Sequence, residues 1–177
     1  MSEDLVPLVR RFQGGDVQAY EALVDRFGTA LARFVGHLVA DRSLAEDLLQ
    51  GLWLKAWIHR EALQDPAKIK AWLYRIAHRE HLMQLRRGGG SGVVEELDNL
   101  PGDGESPSDL LVREEDKGRM TEVFRALPTF QKEVLWLFVV EGLAHAEISR
   151  ILEIPEGTCR SRLHNALARL REDLEKR

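Results

Sequence analysis

The stretch Ile148-Ser149-Arg150-Ile151-Leu152-Glu153-Ile154-Pro155-Glu156-Gly157-Thr158-Cys159-Arg160-Ser161-Arg162-Leu163-His164-Asn165-Ala166-Leu167-Ala168-Arg169-Leu170 decides the fold. Ile148, Ile151 and Leu152 stand at i, i+3 and i+4, the apolar set of a short helix. Glu153-Ile154-Pro155 interrupts it as a tight turn. Cys159, Leu163, Ala166, Leu167 and Leu170 then recur at i, i+4, i+7, i+8 and i+11, one stripe of a second helix. Two helices joined by so short a turn, with a third packed behind them, have the outline of a helix-turn-helix.

With that stripe assigned to the core, the opposite face near the start of the second helix presents Glu156, Gly157, Arg160, Ser161, His164 and Asn165. Thr158 lies at its entry, and Arg162, Arg169 and Arg171 lie toward the flanks. Between Thr158 and Arg171 there are four arginines and no acid. Early side chains of a recognition helix reach base edges in the major groove, where arginine pairs with guanine in bidentate fashion, and flanking arginines bind phosphates. Spacing alone leaves a solvated basic surface helix open as the other reading. The turn that precedes the helix favours DNA.

Upstream, Val134, Leu135, Phe138 and Val139 mark another helix, ending near Gly142, a natural C-terminal cap. Before it, Met120, Val123, Phe124 and Leu127 share a face and Pro128 breaks the pattern. Residues 113–177 thus read as a helical module. Residues 88–112 differ in kind: Gly-Gly-Gly-Ser-Gly, then Glu95, Glu96, Asp98, Asp103, Glu105 and Asp109 with Pro101 and Pro107, a composition too polar to offset the entropy of ordering. They are expected to be a flexible acidic linker.

The charge divides accordingly. The net charge of −4 seems to argue against a nucleic-acid partner until it is split by segment. Residues 1–87 carry 13 basic and 11 acidic side chains (+2), residues 88–112 carry none and 6 (−6), and residues 113–177 carry 12 of each (zero). The acidity belongs to the linker.

In residues 1–87, Tyr20, Leu23, Val24, Phe27, Leu31, Phe34, Val35 and Leu38 recur at steps of three and four, an amphipathic helix with Asp16 as its N-cap. Ser43-Leu44-Ala45-Glu46 reads as a capping box opening a second helix with Leu48, Leu49, Leu52, Trp53 and Ala56 on its stripe. Asp65-Pro66 begins a third, running to about Arg87. No stretch alternates with period two, so the expected class is all-α: two small helical domains, 1–87 and 113–177, joined by the linker 88–112.

The third helix of the first domain carries Lys68, Lys70, Arg75, Arg79, Arg86 and Arg87 against one acid, Glu80. Arg75, Arg79 and Arg86 fall on one face at steps of four and seven. Trp72, Tyr74, His78 and His81 offer flat rings beside them, and cations interleaved with rings suit single-stranded nucleic acid. Core packing is the competing reading for Trp72, which shares a face with Ile69, Leu73 and Ile76, and a half-buried surface position for Tyr74.

Several classes are excluded. No apolar run approaches the roughly 18 residues that span a bilayer, and Met1-Ser2-Glu3-Asp4 carries acids where a secretory signal carries basic residues, so a cytoplasmic protein is expected. Cys159 is the single cysteine and builds neither a disulfide framework nor a cysteine zinc site. The histidines lack zinc-finger spacing, and Gly88-Gly89-Gly90 lacks the strand, helix and lysine of a phosphate loop. No metal, no cofactor and no enzymatic chemistry are expected.

Ala45-Glu46-Asp47-Leu48-Leu49-Gln50, Lys55-Ala56-Trp57 and Ala71-Trp72-Leu73-Tyr74-Arg75-Ile76-Ala77 closely resemble region 2 of the extracytoplasmic-function (ECF) sigma factors of bacterial RNA polymerase. Leu127-Pro128, Gln131-Lys132-Glu133-Val134-Leu135, Glu141-Gly142-Leu143, Glu147-Ile148, Ile154-Pro155-Glu156-Gly157-Thr158 and Arg160-Ser161-Arg162-Leu163 resemble region 4. The resemblance spans nearly all of the chain outside the linker, in the right order.

It implies a dissociable initiation subunit, monomeric when free, that binds core RNA polymerase. Asp47, Gln50, Trp53 and Lys55 would contact the clamp helices of the largest subunit. Lys68, Trp72, Tyr74, Arg75, His78, Arg79 and Arg86, with the loop 63–68, would open and read the minus-ten element. Glu156, Thr158, Arg160, Ser161, Arg162, His164, Asn165 and Arg169 would read the minus-thirty-five element, with region 4 also on the polymerase flap. The acidic linker would thread toward the catalytic cleft and RNA exit path. Family habit adds an anti-sigma factor. Two other readings stand beside it: a sigma-like mimic that binds an anti-sigma factor or polymerase without opening promoters, and a stand-alone helix-turn-helix regulator.

Four positions depart from the family pattern. Gly51 stands where an acid usually follows the glutamine, a glycine that costs a helix about 1 kcal/mol relative to alanine. Arg79 stands in place of an asparagine, Ala144 in place of a capping serine or threonine, and Glu153 in place of a turn glycine, where positive φ costs about 1 kcal/mol.

Overall fold

The computed structural model describes residues 5–87, 122–124 and 126–175, with side chains through 173. The start of the chain, the expected linker 88–112 and Met120 lie outside the described residues. The chain separates into two units, Met1–Val93 and Val94–Arg177, and every described secondary-structure element is helical.

The first unit opens with α1 (Val6–Gln13), which sequence periodicity does not reveal. α2 (Val17–Leu38) follows a Gly14-Gly15 turn. Asp16 is its N-cap as expected, accepting from the Ala19 N–H at 3.2 Å. The Arg11 guanidinium hydrogen-bonds the same carboxylate at 2.8 Å and, ahead of the Ala19 bond, holds its pKa down.

α3 (Arg42–Ile58) begins one residue before the expected capping box. Its cap is Asp41, whose carboxylate takes the N–H groups of Ser43 and Leu44 at 2.8 and 3.2 Å. Ser43 is therefore inside the helix, and Glu46 pairs with Arg42 at 2.9 Å. Two short 3₁₀ turns, Arg60–Ala62 and Pro66–Lys68, lead into α4 (Ile69–Arg87); Asp65 caps the second turn through the Ala67 N–H at 3.1 Å.

α4 packs against both α3 and α2, and α1 packs on α2 and the 3₁₀ turns. The core between them holds Val9, Phe12, Leu23, Leu31, Phe34, Leu52, Ile69 and Leu73. Burying each large side chain stabilises the unit by roughly 1.5–3 kcal/mol.

In the second unit, residues 122–124 and 126 are helical. α5 (Thr129–Leu135) follows Pro128 and loosens into a π-helical turn, Trp136–Val140. Gly142 at φ 66 reverses the chain. α6 (His145–Leu152) and α7 (Glu156–Glu175) form the expected helix-turn-helix, both packed on by neighbours: α5 against α7, and α6 against α7. Ile148, Ile151, Leu152, Cys159, Leu163, Ala166, Leu167 and Leu170 are all buried, so the apolar stripe quoted above is the core of this unit.

Candidate nucleic-acid interface

The turn between α6 and α7 sets the direction in which α7 starts. Ala144 has no side-chain acceptor at the N-cap of α6, and only the reverse half of a capping box is present: the Glu147 carboxylate accepts from the Ala144 N–H at 3.1 Å. Glu153 takes the left-handed conformation, φ 56, without being glycine. Ser149 Oγ donates to the Ile154 carbonyl at 2.8 Å and closes the turn.

The first turns of α7 expose Gly157 and Arg160 and half-expose Glu156, Thr158, Arg162, His164 and Asn165. Arg160 forms an ion pair with Glu156 one turn back. Arg162 lies over the Phe130 ring at 4.9 Å, a cation–π contact that anchors it to α5. His145, at the start of α6, has its pKa lowered first by burial and then by the Arg160 charge.

One expectation on α7 needs correction, and a second residue makes a contact the sequence did not suggest. Ser161 is buried, and its hydroxyl donates to the Thr158 carbonyl at 3.1 Å, so it does not face a groove. Arg169 stands nine residues after Arg160, which at 100° per residue places it on the opposite side of the helix. There its guanidinium reaches Gln131 Oε1 of α5 at 3.4 Å, and it borders a small cleft with Glu172 and Asp173. The side chain itself is exposed.

α4 sorts its expected residues in the same way. Lys68, Arg79 and Arg86 are exposed and Arg75 is half-exposed, a strip of cations along one side. Trp72 is buried to 8% exposure and Tyr74 to 1%. Tyr74 meets Phe34 of α2 edge to face at 5.1 Å, and His78 is buried too. In this conformation the rings of Trp72, Tyr74 and His78 belong to the core, since α4 is covered by two helices.

α3 bears a third surface. Trp53 and Trp57 stand edge-on to Tyr20 of α2 at 6.0 and 5.3 Å. With Val24, Leu49, Gln50 and Leu54 they line an apolar cleft of about 640 Å³. Leu54 and Ile58 beside it are 59% and 57% exposed, unusual for large apolar side chains on a packed helix. Asp47 and Gln50 are exposed along the same surface. Lys55 is half-exposed, and its ammonium pairs with Glu80 of α4. Leu54 and Ile58 were detectable in the sequence as an i, i+4 apolar pair off the Leu48-Leu52-Ala56 stripe.

Family models for sigma-70 region 2 and sigma-70 region 4 match residues 23–90 and 117–170. The ECF RNA polymerase sigma-E factor of Escherichia coli is 30% identical over 178 residues, covering 94% of this chain and 93% of that protein. The chain belongs to the ECF sigma factors. The ECF sigma factor SigK of Mycobacterium tuberculosis is 29% identical over 180 residues, with 99% of this chain and 96% of that protein covered.

Among solved structures, the sigma factor RpoE of Bartonella quintana, crystallised with the anti-sigma factor NepR, is 25% identical at a TM-score of 0.66, over 89% of this chain and 97% of that one. CnrH, solved in complex with the cytosolic domain of CnrY, shares the fold at 22% identity and a TM-score of 0.67, over 96% of each chain. An ECF sigma factor is a transcription initiation factor, which fits an all-helical chain bearing basic helix faces. No helix among the described residues is long and apolar enough to cross a membrane.

Proposed function

We propose that this ECF sigma factor docks on core RNA polymerase through α3 and reads its promoter through α4 and α7. Asp47, Gln50 and Trp53, joined by Leu54 and Ile58, form the docking surface for the clamp helices. Lys68, Arg75, Arg79 and Arg86 take the phosphates and unstacked bases of the opened minus-ten strand. Arg160 reads the minus-thirty-five duplex with Thr158, His164 and Asn165 around it, Arg162 at its flank, and Glu156 holding the arginine until a base replaces it.

Residues 1–87 act as region 2 and 113–177 as region 4, with region 4 also on the polymerase flap. The acidic linker 88–112 runs along the polymerase's basic channel. The protein works in the cytoplasm as a monomer until polymerase takes it up, under control of an anti-sigma factor. The observation that carries this reading is the pairing, within one helical unit, of an exposed apolar strip on α3 with a separate cationic strip on α4. A plain helix-turn-helix regulator has no use for the first.

Reconstitution with core polymerase and selection of promoters from a random library tests the proposal. Specific start sites are expected. Polymerase binding without transcripts would establish the mimic, and high-affinity duplex binding by the free protein would establish the regulator.

A further inference from the structure

Gly51 has no side chain, and the space is filled from another helix. A Cβ built on Gly51 would stand 3.0 Å from Glu80 Oε2 of α4. The other oxygen of the same carboxylate pairs with Lys55, one turn further along α3. Lys55 Nζ in turn lies 3.4 Å from Met83 Sδ, one turn past Glu80 in the other direction. The Glu80 side chain is only 13% exposed against 35% for Lys55, so its charge is largely withdrawn from water and relies on that partner.

Gly51 does not take a positive φ, so backbone freedom is no reason for a glycine in the middle of a helix. Room for the carboxylate is. Glu80 is also the single acid of α4. Five residues beyond Arg75 and one beyond Arg79, it projects away from the cationic strip, and its negative charge is spent on Lys55 without neutralising the side offered to DNA.

We propose that Gly51 is a slot in the docking helix that receives Glu80, and that Glu80 is a positioning residue holding the DNA-facing helix α4 in register with α3. The inference rests on the sigma reading, because it gives the two helices their separate tasks. Polymerase would grip α3, and the Gly51 slot with the Lys55–Glu80 pair would pass that placement to Arg75, Arg79 and Arg86. The contact acts on promoter opening and leaves the affinity for polymerase alone.

The test uses the full chain with core polymerase on a promoter selected from the random library, comparing Gly51→Ala, Glu80→Gln and the double variant. Core affinity by competition, the rate of open-complex formation and thermal unfolding are measured on each. Both single variants should slow opening by about threefold to tenfold, within the range of a typical net intramolecular hydrogen bond in a partly solvated site, with core affinity within about twofold. The double variant should be no slower than the worse single, because both break one contact.

Alanine is the better helix former, so a glycine of purely local consequence predicts a raised melting temperature with unchanged opening for Gly51→Ala. That result, or additive slowing in the double variant, overturns the proposal. Failure of the unaltered protein to bind core polymerase overturns instead the functional reading on which it rests, and is seen before any variant is compared.

Discussion

Gln13 Nε2 donates a 2.6 Å hydrogen bond to the carbonyl of Leu63, fifty residues away. It ties the end of α1 to the segment that leads into α4. The neighbouring Arg60 supports the same segment, with its guanidinium 4.8 Å above the Trp57 ring and a 2.9 Å bond to the Trp57 carbonyl. A short helix thereby sets the entry to the helix proposed to meet minus-ten DNA. Gln13→Ala should leave the Leu63 carbonyl without this partner and cost about 1 kcal/mol of stability in the first unit. It should also slow promoter opening while polymerase affinity holds; thermal unfolding and open-complex kinetics read the two effects.

Arg160 and Arg169 are expected to separate cleanly. Arg160→Ala should cost about 1–3 kcal/mol at one upstream base position and relax specificity there, measured as competition between promoter variants. Arg169→Ala should leave DNA affinity and its salt dependence unchanged and lower the melting temperature, since the side chain bridges to Gln131. A uniform loss of DNA affinity in Arg169→Ala would return it to the phosphate-binding set.

That difference marks what a sequence can and cannot disclose. The core stripe of α7 was legible because its buried residues repeat at one helical period. That Arg169 lies opposite Arg160 was legible too, from the same 100° step, but its contact with Gln131 of α5 was not, because that depends on how the two helices pack. On α4 the period itself misleads: two helices cover it, so burial spreads from Trp72 round through Tyr74 and His78, and aromatic rings that looked available are inside. α1 was missed because eight residues with Val9 and Phe12 as their buried members are too few to establish a period. Asp41 outcompeted Ser43 as a cap because a carboxylate two residues upstream takes two N–H groups at once.

The two ends of α6 hold one improvable position each. Glu153→Gly should relieve left-handed strain worth about 1 kcal/mol, and Ala144→Ser should supply the missing cap acceptor, worth about 1 kcal/mol. The sites are nine residues apart at opposite ends of α6. Thermal unfolding of both single variants and the double should show gains that add.

Cys159 gives a pH dependence with a definite sign. Burial, with the Glu156 charge adding to it, pushes the thiol from its ordinary 9.0 up to about 11. The unfolded chain releases this proton near pH 9 and the folded one holds it to about 11, so the folded state binds more protons in between. Stability is then full below pH 9 and falls as pH rises from 9 toward 11. Chemical denaturation across that range should show the fall, and it should shrink in Cys159→Ala. The same burial predicts that thiol reagents label Cys159 only after unfolding.

The aromatic lining of the α2–α3 cleft has an optical consequence. Of the four tryptophans, Trp72 and Trp136 are shielded in the two cores, whereas Trp53 and Trp57 border the cleft with Tyr20 at their edges. Any macromolecule that closes over α3 must change the polarity around that one pair while the other two emit as before. The protein thus carries a built-in, label-free indicator of whether the proposed docking surface is free or occupied, readable as a blue shift in intrinsic emission.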